Sequence, residues 1–504
     1  MSLQRGRQRH RRQTRDRNRL VSSAGKRKGS PCQEDEDLYS QAGKRTRRAV
    51  PALPEDIWCH IHSLLPMRDA ARVACQSRSF LRSWRCHPVL TLNSIILGSN
   101  GNACSQDFIC KADRILSNHS GIGIKIFNLR LFSIFDACPY LDRWLQIAVK
   151  PGIEELTLEL CCRCERKCSI PCSLLSDGVQ NSIRYLRLAS CSFRPTAELA
   201  PLKNLTSLSL HLVKISWEEL ECFLSNSLAL ERLDLSNCNE IVKLKIPHVM
   251  QKLSCLDVSY CSELRVIESE ARNLTKFSYS GGGLRKVSLG ETLQMRSFSM
   301  YRPKLLCYAR TKMPACMPNL EALDIGSSYE MIDTPMLPTK FMFLKHLRIH
   351  LISDWSFCPS YDYFSLASFL DASPLLETLI LDVEQYLMKH KSVFGGSGQL
   401  RQMPDHRHGC LKTVKITGFS SAKGLIELTC YIVKNAESLE SCYILKNAVS
   451  LECFTLDAPY GDLRCYLKTS TRCDRMSEVI LMEARRVVLA IRTYIEDNKS
   501  SIYS

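Results

Sequence analysis

The chain has 504 residues, of which 45% are hydrophobic and 24% charged, enough apolar material for a large core and, by length alone, for roughly two to four domains. No run of about 18 apolar residues occurs, and residues 1–19 are polar and arginine-rich where a signal peptide would be apolar, which predicts a soluble intracellular protein with no membrane partner. The formal charge of +17 is uneven: residues 1–49 hold 15 Lys/Arg against 5 Asp/Glu, while the remaining 455 hold 53 against 46, so the body lacks the excess expected of a dedicated nucleic-acid binder.

Residues 1–49 are too poor in apolar side chains to fold and are expected to form a disordered basic tail. Within it, Lys26-Arg27-Lys28 and Lys44-Arg45-Thr46-Arg47-Arg48 make two clusters around a polar, partly acidic spacer. Extended basic side chains of this kind suit an acidic import receptor. The leading expectation is a nuclear protein, with the cytoplasm as a second address. A solvated tail with no address and an accessory nucleic-acid contact remain as alternatives.

After Pro51 and Pro54, the residues Ile57, Ile61, Leu64 and Leu65 fall at i, i+4, i+7 and i+8, one face of an amphipathic helix. Pro54, Glu55 and Asp56 suit its first turn, and Pro66 with Asp69 ends it and begins another. Further helical runs follow at Ala70-Ala71-Arg72-Val73-Ala74-Cys75 and around Phe80-Leu81-Arg82-Ser83-Trp84. Three short helices make too small a core to stand alone, so a packing partner is implied.

The ordered pattern Leu53-Pro54, Ile57, Ile61, Leu64-Leu65-Pro66, Asp69-Ala70-Ala71-Arg72, Ala74-Cys75, Ser77-Arg78, Phe80 and Trp84-Arg85 resembles the F-box. That resemblance implies a module at residues 50–90 that packs on a Skp-type adaptor and, through it, on cullin and RING subunits. It also implies that Leu53, Pro54, Ile57, Ile61, Leu64, Leu65, Pro66 and Trp84 form the adaptor-binding surface. The position where that family often has valine is Cys75 or Gln76 here, and cysteine is expected to pack there as a small apolar group.

From residue 91 an apolar-x-x-apolar-x-apolar pattern recurs, first as Ile153/Leu156/Leu158 and Ile183/Leu186/Leu188, and last as Leu411/Val414/Ile416 and Leu451/Phe454/Leu456. Through the centre the spacings are 22, 25, 23, 21, 21, 25 and 24 residues, inside the leucine-rich-repeat range. Alternating apolar residues turn one face of a short strand into a core that neighbouring repeats complete. Only Leu233-Asp-Leu-Ser-Asn237-Cys238 and Leu256-Asp-Val-Ser-Tyr260-Cys261 approach the family's strand and Asn/Cys turn, so the array should be irregular.

The fold class expected is α/β: a short all-α F-box, then an irregular leucine-rich-repeat solenoid over residues 91–475 with a parallel β-sheet on its concave face. Residues about 400–475, with Gly409-Cys410-Leu411-Lys412-x-Val414-x-Ile416-x-Gly418-Phe419 and Leu451-x-x-Phe454-x-Leu456-Asp457, resemble the FBD-like region of plant F-box/leucine-rich-repeat proteins. Residues 476–504 read as a capping helix and tail. The glycine-rich stretch from Phe394 through His408 reads as an exposed loop.

In a reducing compartment the 26 cysteines should be thiols, most of them small core residues, and a disulfide framework is not expected. The sequons at Asn118, Asn204 and Asn273 would need a secretory route and are taken as chance matches. Cys161, Cys162, Cys164, Cys168 and Cys172 read first as incidental thiols, ahead of a zinc site, which lacks a second chelating pair, and of redox-sensitive surface thiols. His406 and His408 with Asp405 and Cys410 read as a polar loop before a strand, and Gly281-Gly282-Gly283 as a turn between strands.

No catalytic residue, cofactor or metal site is expected. The resemblance implies a non-catalytic substrate-recognition subunit of a Skp-cullin-F-box ubiquitin ligase, acting on an unknown protein target. The rival reading is a nuclear leucine-rich-repeat scaffold or chromatin-associated binder without ubiquitin transfer.

Overall fold

The computed structural model describes residues 53–442 apart from 99–104, 121–122, 132–137, 161–167, 197–198, 329, 331–332, 353–360, 385–390, 395–398, 403, 419, 437 and 440, and beyond them Arg486, Leu489, Ala490, Thr493 and Tyr494. The tail 1–49, with Lys26, Arg27, Lys28, Lys44, Arg45, Arg47 and Arg48, lies outside the described residues, as does the repeat Leu451/Phe454/Leu456. Of the expected capping helix, Arg486, Leu489 and Ala490 are helical, Ala490 is buried, and the Tyr494 carbonyl accepts from the Cys430 thiol.

Three helices open the described chain: α1 (Glu55–Ser63), α2 (Met67–Ala74) and α3 (Arg78–Arg85). Prolines at 54 and 66 occupy the positions just before α1 and α2, where a missing N–H does no harm, and α2 begins ahead of the expected Ala70. The Ser77 hydroxyl caps α3 by accepting from the Phe80 N–H at 3.1 Å. Inside this module little is buried beyond Met67, Ala70, Ala74, His62 and Ser83.

Fourteen strands follow in one parallel sheet, each beside the next in chain order apart from the short strands of two smaller sheets. Its first two strands, Val89–Leu92 and Ile126–Arg130, come before the first repeat expected from the sequence. The register is one-to-one throughout the centre. Leu186, Leu208, Leu233, Leu256, Phe277, Phe298, Leu323 and Leu347 form one inward row, and Leu188, Leu210, Leu235, Val258, Tyr279, Met300, Ile325 and Ile349 another. They belong to a single core running from Met67 to Ala490. Each large side chain sealed this way contributes about 1.5–3 kcal/mol.

The turns are more regular than their residues. Ser190, Leu212, Asn237 and Tyr260 follow their strands at equivalent places, all with φ between 53° and 59°, and each donates its N–H to a carbonyl of the next repeat. The asparagine turn is therefore a backbone conformation that this chain also imposes on Ser, Leu and Tyr, against their intrinsic preference. Asn204, Asn273 and Asn319 likewise each donate a side-chain amide to a carbonyl one repeat earlier, Asn181, Gln251 and Leu293 respectively. Two of the sequons are thus structural positions of the repeat.

What varies is the return path. Between the main strands lie the helices Trp217–Ser225, Leu305–Cys316 and Lys423–Asn435, or the short strands Lys243–Ile246, Val266–Ser269 and Lys286–Ser288, which pair into a second parallel sheet. Strand length also changes, from five residues in the centre to seven at Ala322–Ser328, His346–Ile352 and Thr378–Glu384.

Two expectations about cysteine are corrected. Cys138 and Cys168 form a disulfide, with Cα atoms 5.8 Å apart, because the helix Cys138–Ala148 and the segment before Ser169–Ile170 bring side chains 30 residues apart together. Nor, among the described residues, are most free thiols in the core: Cys191, Cys238, Cys261 and Cys430 are buried, while Cys75, Cys86, Cys110 and Cys316 are exposed. Among the described residues, no helix is long and apolar enough to cross a membrane.

Candidate functional site

The apolar face of α1 does not point into the protein. Leu53, Ile57 and Leu64 are 38%, 41% and 72% exposed, Pro54 and Pro66 are exposed, and Ile61 and Leu65 are half-buried. The side chain that α1 buries is His62, which clusters with the mutually packed rings of Trp58 and Phe80. Both its ring nitrogens lack hydrogen-bond partners, and burial, helped by nearby His87, lowers its proton affinity. Periodicity alone cannot say which face of a helix is the core face; here the hydrophobic stripe is the outer one.

Trp84 stands apart from that set. It packs on the main core and its ring lies 5.7 Å from that of His87. On its other side, Trp84 joins Leu81, Arg78, Ala74 and Cys75 in lining an open groove between α2 and α3. Cys75 is exposed there, where the sequence suggested a packed apolar group, because it closes α2 and its thiol turns back to the Ala71 carbonyl.

His87 fastens the helices to the sheet. Its Nε2 lies 3.2 Å from the Leu65 carbonyl between α1 and α2, and its Nδ1 accepts from the Val89 N–H at the start of the first strand. Its own carbonyl meets His119 Nε2 at 3.1 Å.

A second surface is formed by the outward rows of the main sheet. One row reads Arg187, Ser209, Asp234, Asp257, Ser278, Ser299, Asp324, Arg348 across eight neighbouring strands. The Asp257 carboxyl is held above the usual range, first by burial and then by the adjacent Asp234. At the early end, Glu159 is buried between Arg130 and Arg187, at 3.3 and 2.8 Å.

At the other end, Tyr301 lies flat across the backbone of Gly326. A Cβ at residue 326 would sit 2.1 Å from the tyrosine ring, so only glycine leaves room. The Tyr301 hydroxyl donates to Asp324 at 3.2 Å, and burial followed by that carboxylate pushes its pKa up to about 12. Its ring meets His350 edge-on at 5.9 Å, and Arg348 pairs with Asp382 at 2.7 Å. Nothing in the sequence marked Tyr301, Asp324, Arg348 or His350; the one available signal was a glycine at an outward strand position.

The other singled-out residues separate. Cys161, Cys162 and Cys164 lie outside the described residues, Cys168 is bridged to Cys138, and the Cys172 thiol donates to the Arg194 carbonyl. Gly281, Gly282 and Gly283 do form a turn between strands, and a Cβ at residue 283 would collide with the Ser262 carbonyl at 2.9 Å. Gly418 has φ +66°, and a Cβ there would lie 1.8 Å from the Val383 carbonyl oxygen. Asp405 pairs with Lys434 at 2.6 Å, away from the histidines beside which the sequence placed it, and His408 is buried although its loop is otherwise largely exposed.

The chain matches the family described as "At1g61320/AtMIF1, LRR domain" over residues 115–442 and 440–503. It is 25% identical to the FBD-associated F-box protein At1g61320 of Arabidopsis thaliana over 65% of this chain and 74% of that protein. It is 23% identical to the putative FBD-associated F-box protein At1g61330 of Arabidopsis thaliana, over 80% of this chain and 92% of the relative. To the FBD-associated F-box protein At1g66310 of Arabidopsis thaliana it is also 23% identical, over 69% and 80%.

Proposed function

Since this chain belongs to the plant F-box/leucine-rich-repeat family with an FBD-like region, we propose that it is the substrate-recognition subunit of a Skp-cullin-F-box ubiquitin ligase. The observation that carries the reading is the outward apolar face of α1, with Ile57 and Leu64 left 41% and 72% exposed. An apolar stripe on a module with so little core of its own is a surface awaiting a partner. Leu53, Pro54, Ile57, Ile61, Leu64, Leu65 and Pro66 take the Skp-type adaptor, and Trp84 supports them from the core side.

The outward strand rows are the surface offered to the target protein. The subunit makes or breaks no bond itself: holding a target near a ubiquitin-loaded conjugating enzyme raises the local concentration of the acceptor lysine. We further assign the two basic clusters, Lys26, Arg27, Lys28 and Lys44, Arg45, Arg47, Arg48, to nuclear import; exchanging them for glutamine should move a fluorescent fusion out of nuclei.

The test is co-purification of the full chain with a plant Skp-type adaptor. Wild type should retain the adaptor, whereas Leu53→Ala with Pro54→Ala, or Leu64→Asp alone, should weaken binding by roughly 30-fold, as expected for a central apolar anchor worth about 2 kcal/mol. Equal recovery by all forms, or recovery by none, sinks the assignment. The scaffold reading draws on the basic excess of residues 1–49; adaptor binding with no ubiquitin transferred to any captured protein, together with salt-sensitive DNA binding by a chain lacking residues 1–49, would favour it.

A further inference from the structure

Outside the docking helices and the outward strand rows, three potential ligands converge from distant parts of the chain. Asp371 closes the helix Ala367–Asp371, and His406 and His408 lie on the loop leading to the strand Thr413–Thr417. One ligand atom from each lies within 4.8 Å of the other two. His408 Nε2 is already 3.6 Å from Asp371 Oδ1. In a tetrahedral zinc site with bonds near 2.0–2.1 Å, ligand atoms stand roughly 3.4 Å apart, so modest side-chain rotation would close this triangle on an ion.

The triangle has a built frame. Asn435, at the end of the helix Lys423–Asn435, accepts from the His406 N–H through Oδ1 at 3.2 Å and from the His408 N–H through its own carbonyl at 2.9 Å. Its amide nitrogen donates to the Tyr431 carbonyl at 3.0 Å. One residue thereby holds the backbone of both histidines. The Tyr431 hydroxyl donates to Asp371 Oδ1 and lies 3.1 Å from His408 Nε2, holding these two ligand atoms together until an ion takes the hydroxyl's place between them.

We propose that Asp371, His406 and His408 bind a divalent transition-metal ion of the zinc class, with a fourth position open to water on the exposed side of His406. Two imidazoles and a single carboxylate suit zinc, cobalt or nickel and supply too few oxygens for calcium or magnesium. The ion would clip the loop carrying the two histidines to the helix Ala367–Asp371 of the preceding repeat.

The test is titration of the full chain with cobalt(II), then zinc(II), followed by optical absorption and thermal unfolding. Wild type should bind one cobalt with visible ligand-field bands and no thiolate-to-cobalt charge transfer, and zinc should raise its unfolding midpoint. His406 is exposed, so His406→Ala should fold normally yet lose at least about tenfold in affinity together with the zinc-dependent rise. Asp371→Asn should behave alike. A spectrum dominated by thiolate, an affinity unchanged in His406→Ala, or no cobalt bound at all would overturn the site.

Discussion

In the docking helices, Leu53, Ile57, Leu64 and Leu81 are 38–72% exposed, whereas the inward leucines of the central strands, Leu186 through Leu256, are at most 1% exposed. Both regions are built from apolar residues at regular spacing. In the sheet each repeat finds its partner in the next one along the chain, so burial is completed internally. Three short helices have no such neighbour on their outer side, and their stripe stays open. Equal hydrophobic periodicity thus means a finished core in one region and an open apolar face in the other.

The sharpest way to break that comparison is to truncate one leucine in each region. Leu256→Ala should lower unfolding stability by about 2–5 kcal/mol in a denaturant titration, since the neighbouring strands cannot collapse into the gap. Leu64→Ala should stay within about 0.5 kcal/mol of wild type, its effect appearing in adaptor binding. Comparable losses of stability would show α1 to be packed like the repeats.

A bulkier glycine replacement probes the sheet from its other side. Gly326→Ala should cost about 1–3 kcal/mol, or displace the Tyr301 ring from the strand, because the new methyl occupies the space of that ring. Tyrosine fluorescence and stability would report it, while adaptor binding should not change.

Smaller again is the capping box of the helix Trp217–Ser225, where the Ser216 hydroxyl accepts from the Glu219 N–H and the Glu219 carboxylate from the Ser216 N–H. Ser216→Ala should cost about 1 kcal/mol. The mildest expected effect is that of pH. Burial lowers the proton affinity of His62 and His119 below that of an ordinary histidine, with pKa about 6.5. Both are therefore easier to protonate unfolded than folded, so their contribution is whole above that value and is lost as pH falls from it toward the folded pKa. Hydrogen exchange in α1–α3 should quicken in that window before exchange in the central strands does. Simultaneous loosening of both regions would contradict this.

The inward rows were legible because burial in a repeat requires the same spacing each time. The strand Ile126–Arg130 carries that spacing too, as Ile124, Phe127 and Leu129, but before the array was recognised it had nothing to be compared with. The second sheet escaped notice because its strands are three or four residues long, too short for alternation to register. Site chemistry was less accessible still. Asp371 joins His406 and His408 only through the packing of two repeats, and Tyr301 finds Gly326 only across a strand pair. The Cys138–Cys168 bridge left no sequence signal because its cysteines stand 30 residues apart and meet only through the packing of a helix against the segment before Ser169–Ile170.

Under the proposed function, the contacts of His87 would bear on which lysines of a target are reached. Its ring touches the α1–α2 junction on one side and the first strand on the other, and its carbonyl engages His119. The helices that carry the proposed adaptor surface and the sheet that carries the proposed target surface are thereby joined through one residue. A protein seated on the strands would then be held relative to the adaptor through this junction, so that reach, as much as affinity, would decide where on it a modification lands.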